Sequence, residues 1–132
     1  MKSWKEMLER ARAVHGGREV SPFIDAGGVA ATVLTEDDNI YVGVSIDTSC
    51  SLGMCAERNA VANMITNGEH KIKRLVCVMR RGSLGLPCGT CREYLMQLSE
   101  DSPCIEILTD ENTESVVTLG ELMPRWWGTD RF

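Results

Sequence analysis

Two short stretches, Met54-Cys55-Ala56-Glu57-Arg58 and Pro87-Cys88-Gly89-Thr90-Cys91-Arg92, place the tightest demand on how this chain can fold. Together they carry three thiols and one carboxylate. Three protein ligands with water in the fourth position are the composition of a catalytic zinc site, and the thiols can serve as those ligands. Cys88 and Cys91 lie three apart, so a helix that opens at Cys88 puts both sulfurs on one face. Cys55 must come from another element, and the fold has to bring the two segments to one point. Residues two apart do not share a helical face, so Cys55 and Glu57 both reach a metal only from the first turn of a helix that begins at or next to Cys55. A helix N-terminus suits a thiolate, because its unpaired N–H groups and the positive end of its dipole point at the sulfur.

The rest of the chain supplies elements that can do this. Trp4, Met7, Leu8, Ala11 and Val14 recur at helical spacing behind the N-cap Ser3 and stop at Gly16-Gly17. Val29 to Leu34 and the alternating Ile40, Val42, Val44 and Ile46 read as a hairpin around the turn Glu36-Asp37-Asp38-Asn39. A second helix runs from Cys55 to Ile65, with Ala60, Val61, Met64 and Ile65 inward and Asn67-Gly68 as its stop. Leu75 to Met79 reads as a buried strand, and a third helix opens at Cys88 with Tyr94, Leu95 and Leu98 inward. Met7, Met64 and Met96 read as core filler. Strands at Cys104 to Thr109 and Ser115 to Leu119 follow, then a short helix behind the capping box Thr118-Leu119-Gly120-Glu121. The expectation is an α/β fold of three layers, a mixed sheet of five strands with helices on both faces. The link Asp110 to Glu114 is too short for a parallel crossover, so the last two strands should be antiparallel.

Composition narrows the function. A chain of 132 residues is read as one domain, 1–132, large enough for a core without disulfide staples. No stretch has the length of a membrane span and the N-terminus is polar, so a cytoplasmic protein with no membrane partner is expected. In that compartment the six cysteines stay reduced, with Cys50, Cys77 and Cys104 as free thiols. A net charge of −5 disfavours a nucleic-acid polymer, and Lys71, Lys73, Arg74, Arg80 and Arg81 read as solvated charges flanking a strand. His15 and His70 have no ligand spacing and read as solvated loop or helix-end residues.

A lone C-x-x-C also occurs in redox dithiols and structural zinc knuckles, but a dithiol leaves Cys55 and Glu57 without a role. A closed four-Cys site wants a second C-x-x-C pair, whereas Cys50 lies five residues before Cys55. C-A-E followed by P-C-G-T-C matches the three-Cys form of the zinc deaminase signature, and the chain resembles the cytidine deaminase family. Val29 to Asp37 is similar to that family's first strand, and Gly120-Glu121-Leu122-Met123-Pro124 to its closing Glu-Leu-Leu-Pro. The resemblance implies Zn2+ on Cys55, Cys88 and Cys91, Glu57 as the catalytic acid and base, and Arg58 as a donor that offsets the charge of three thiolates. It implies hydrolytic deamination of a cytidine-like nucleoside, as in pyrimidine salvage, with backbone around Ala56 and Leu86-Pro87 reading the base. It also implies a homotetramer, in which an interface would give one of the adjacent Trp126 and Trp127 a place to go. In the sugar pocket this chain departs from the family, with Gly27 at the place of a Phe and Ser45-Ile46-Asp47 at the place of Asn-x-Glu. A blasticidin S deaminase-type enzyme, acting on a modified cytosine nucleoside, is therefore the alternative substrate class, and a non-catalytic zinc-stabilised binding module the alternative outside enzymes.

Overall fold

The computed structural model describes residues 1–132. In chain order its elements are α1 (Trp4–Val14), β1 (Arg18–Ser21), β2 (Ile24–Thr35), β3 (Ile40–Thr48), α2 (Ala56–Thr66), β4 (Ile72–Val78), α3 (Gly89–Met96), β5 (Glu106–Asp110), β6 (Ser115–Thr118) and α4 (Leu119–Leu122). Side-chain alternation along the central strands sets the layering, since successive residues of a strand face opposite sides of the sheet. Ala30 and Leu34 of β2 and Val76 and Val78 of β4 pack on one face with Trp4, Met7, Leu8 and Ala11 of α1. Ala31 and Val33, with Leu75 and Cys77, pack on the other with Ala56, Ala60, Val61 and Met64 of α2 and Leu95 and Met96 of α3. Strands buried on both sides and helices on both faces make the three-layer α/β fold that the sequence implies. Ser3 caps α1 by accepting the Glu6 N–H, and Thr118 caps α4 by accepting that of Glu121.

The sheet has six strands where the sequence pattern implies five. The added one is β1, which pairs antiparallel with the N-terminal end of β2, Arg18 opposite Ala26 and Glu19 opposite Asp25. Its residues are exposed or half-buried, so backbone pairing forms it without any apolar periodicity to announce it. β3 lines one edge of β2 from Ile24 to Leu34, and β1 and β4 share the opposite edge at its two ends. β4 pairs parallel with β5, and β5 and β6 are antiparallel as the short link requires. Two side chains read as inward are instead exposed, Ile65 at 45% and Tyr94 at 38%. Fully buried Met64 and Cys91 fix the phase of their helices, and the apolar contacts fall to Val61 and Met64 in α2 and to Leu95 and Met96 in α3.

The seating of α2 on the sheet positions the first metal-site stretch. Gly43 of β3 lies directly under the helix backbone, where a Cβ would overlap Ala60 N and crowd Ala56 O and Asn59 C. Asn59 Nδ2 reinforces the contact by donating to Val44 O at 3.1 Å. Gly43→Ala is expected to lift α2 and to cost roughly 1–3 kcal/mol, the range for overpacking a tight contact. Urea unfolding measures it, and an unchanged midpoint would mean that the helix does not bear on this glycine.

Candidate metal centre

Cys55 and Cys88 are the N-cap residues of α2 and α3, and Cys91 lies in the first turn of α3. Both helices thus open toward the same point, as the spacing of the three thiols demands. The Cys55 and Cys88 sulfurs are 3.7 Å apart, and all three sulfurs lie within 4.8 Å of one another. A tetrahedral ion with metal–sulfur bonds of about 2.3 Å has sulfur–sulfur edges of about 3.8 Å, so the first edge already has the length that zinc requires. No fourth thiol, imidazole or carboxylate belongs to the cluster, which leaves one position open. Cys55 and Cys88 both line a cavity of about 450 Å³, into which that position can face.

Protonation follows the local surroundings. Burial works to raise the Cys88 thiol, but backbone N–H groups of Cys91 and Thr90 and the neighbouring thiols outweigh it and bring Cys88 below the ordinary thiol range. Cys91 is raised, first by burial and then by the adjacent Glu57 carboxylate. Fully buried Cys77, on β4, is raised for the same two reasons. A metal must therefore draw the proton from Cys91 as it binds. Glu57 is 5% exposed, lines the cavity and belongs to the first turn of α2, where the two-residue offset from Cys55 puts it. Arg58 is held firmly protonated, first by its proximity to Cys55, with burial opposing and Cys91 assisting. Its Nε is buried without a partner, an unused donor on a side chain that lies beside Cys55 and Cys91.

Other residues singled out in the sequence fall around the same cavity. Ala56, Ser45 and Asp47 line it, with Ser45 Oγ accepting the Val29 N–H at 2.9 Å and Asp47 paired with Arg80 at 3.1 Å. Pro87 lies outside the lining, and its carbonyl accepts from Arg92 Nε at 2.7 Å; Leu86 takes the wall position. Arg80 was not legible as a site residue, because its place in a basic run looks solvated. Its position just beyond the C-terminal end of β4 is the signal that points inward, since ligands in α/β sheets gather at such ends. His15 sits at a helix end as expected, the C-cap of α1, and its Nε2 in addition meets Met79 O at 2.8 Å. Trp126 and Trp127 separate as adjacent side chains must. Both indoles donate to Glu93 at 3.0 Å, yet Trp126 packs against the core and Trp127 stays 60% exposed.

Comparison with known proteins agrees with this geometry. Residues 4–105 match the family model of the cytidine and deoxycytidylate deaminase zinc-binding region. The cytidine deaminase of Mycobacterium tuberculosis strain H37Rv is 31% identical over 103 residues, 77% of this chain and 74% of that protein. The cytidine deaminase of Sporosarcina psychrophila is 30% identical over 97 residues, 73% and 71% of the two chains. The crystal structure of the Mycobacterium tuberculosis cytidine deaminase superposes with a TM-score of 0.76 at 27% identity, covering 97% of this chain and 99% of that one. Elemental analysis is expected to find about one zinc per chain, lost on Cys88→Ala and kept on Cys50→Ala, since Cys50 lines the cavity but stands outside the sulfur cluster. Full zinc occupancy in the Cys88 variant would refute the ligand assignment.

Proposed function

The chain belongs to the cytidine and deoxycytidylate deaminase family, and we propose that it is a zinc-dependent aminohydrolase converting cytidine or deoxycytidine and water to the uridine product and ammonia. The observation that carries the reading is the buried Glu57 carboxylate beside three convergent thiols on the wall of one cavity. When bound, zinc supplies the Lewis acidity that brings the pKa of water toward neutrality. Cys55, Cys88 and Cys91 hold it. Glu57 accepts the proton of the attacking water, delivers a proton to ring N3 and then helps the amine leave as ammonia, the shuttle that suits a carboxylate two residues after a ligand. Arg58 donates toward the ligand sulfurs and offsets the negative charge of three thiolates. Backbone at Ala56 and along Leu86-Pro87 meets the base, and Ser45 and Asp47 face the sugar.

The sugar end supports a second substrate. Ser45-Ile46-Asp47 stands where the resemblance places Asn-x-Glu, so the side chains that would meet an ordinary ribose are shorter. A modified cytosine nucleoside of the blasticidin S kind is the alternative on that ground. The chain acts as one domain, 1–132, and works as a homotetramer in the cytoplasm, in pyrimidine salvage. Exposed Trp127 and Phe132 support the assembly, since large aromatic side chains are enriched at interfaces. Six free cysteines suit a reducing compartment, and no helix is long and apolar enough to cross a membrane.

Turnover of cytidine, deoxycytidine, cytosine and blasticidin S, followed by ammonia release, tests the reading and ranks the substrates. In Glu57→Gln the carboxamide keeps the shape without the basicity, and kcat/KM is expected to fall by about a hundredfold or more with zinc retained. A variant that loses metal and activity in parallel would make Glu57 structural.

A further inference from the structure

At its outer margin the catalytic cavity ends on an ion pair that the deaminase chemistry does not use. Arg80 Nη2 donates to Asp47 Oδ2 at 3.1 Å. Both residues line the cavity that holds the thiols, and both also border a second cleft shared with Asp25 and Gly28 and with none of the thiols. The pair therefore stands where the substituent on a bound base would emerge. Ser45 and Asp47 are two apart on β3 and so face the same side of the sheet. Ser45 is 6% exposed and its oxygen accepts the Val29 N–H, so the far more exposed Asp47 carboxylate is the more adaptable acceptor at this end. Asp47 has a short stem on an exposed strand end, and alone it would have to be ordered each time substrate bound.

Arg80 reaches Asp47 because of what is missing on the neighbouring strand. Gly28 of β2 lies beneath the guanidinium, and a Cβ there would overlap Arg80 Nη1 and crowd Cζ. Two strands and a turn thus contribute to one contact: β2 the gap, β3 the carboxylate, and the turn just beyond β4 the arginine. The side chains of the pair are 61% and 54% exposed, so the ion pair adds little to folding. Its effect is orientation, because the planar fork of an arginine fixes a carboxylate in a way that a solvated charge does not.

We propose that Arg80 is a positioning residue for sugar recognition: by holding Asp47 Oδ2 it presents Oδ1 to a hydroxyl of the substrate's sugar, and Gly28 is the space that admits it. The proposal rests on the deaminase reading and names a determinant of substrate choice within it. It also gives a physical role to a glycine and an arginine that touch no reacting atom.

The experiment compares kcat/KM of the zinc-loaded protein for cytidine and for 2′,3′-dideoxycytidine, which lacks the sugar's secondary hydroxyls. Arg80→Ala should lower the cytidine value about fivefold, through KM, and the dideoxycytidine value less than about twofold, as loss of a hydroxyl contact requires. Gly28→Ala should reproduce that sugar-dependent loss by displacing the guanidinium. Combined with Arg80→Ala it should cost nothing more, because the three atoms nearest the added methyl all belong to the Arg80 side chain. Equal losses on both substrates, no loss on cytidine, or full additivity of the two changes would overturn the proposal. An unsubstituted, zinc-loaded protein that deaminates neither compound would overturn the deaminase reading with it.

Discussion

Everything in this molecule depends on two helix N-termini meeting at one point. A thiolate at the start of a helix gains from the unpaired N–H groups and the dipole, and three such sulfurs repel one another unless a cation sits between them. The fold supplies the framework for that arrangement. α2 is pressed onto β3 where Gly43 has no side chain, and α3 is anchored through fully buried Cys91 and through Leu95 and Met96 in the same core layer. Cys77 of β4 lies close to Glu57, Cys88 and Cys91, and the cavity opens on the side lined by Cys55 and Cys88. Cys91 lies within α3, and Cys55 and Cys88 are tied to the helices as their N-caps, which gives a metal geometry of fixed bond lengths the support it needs.

Charge balance is the second requirement. Three thiolates leave zinc with a net negative charge, which weakens its hold on the proton balance of bound water unless donors surround the sulfurs. Here the donors are backbone N–H groups of α3 aimed at Cys88 and the Arg58 guanidinium near Cys55 and Cys91. The unpartnered Arg58 Nε is consistent with a site whose acceptors are completed by the loss of thiol protons. Glu57 lines the cavity beside these groups, close enough to Cys91 to push its thiol upward.

The legibility of the chain follows which residues encode their structure locally. α1 was readable from apolar spacing and Ser3, and α2 and α3 from the cysteines at their starts and the stops after them. The antiparallel pairing of β5 with β6 followed from a link of five residues, Asp110 to Glu114. β1 was not readable, since Arg18, Glu19, Val20 and Ser21 bury almost nothing and are ordered by the edge of β2. The same reason hid the role of Arg80 and the partner of His15. Their partners, Asp47 and Met79 O, lie 33 and 64 residues away in sequence, and only the assembled sheet brings them together. The three thiols escaped this limit because their spacing states their chemistry; the Asp47 and Arg80 end of the cavity did not, because its contacts are built between distant elements.

The central claim is that three thiols, and no fourth protein ligand, hold one zinc with a position open to the cavity. Zinc-edge X-ray absorption on the loaded protein reads this directly. The account predicts three sulfur scatterers at about 2.3 Å and one oxygen or nitrogen at about 2.0 Å. Four sulfurs at the longer distance would describe a closed structural site and would contradict it.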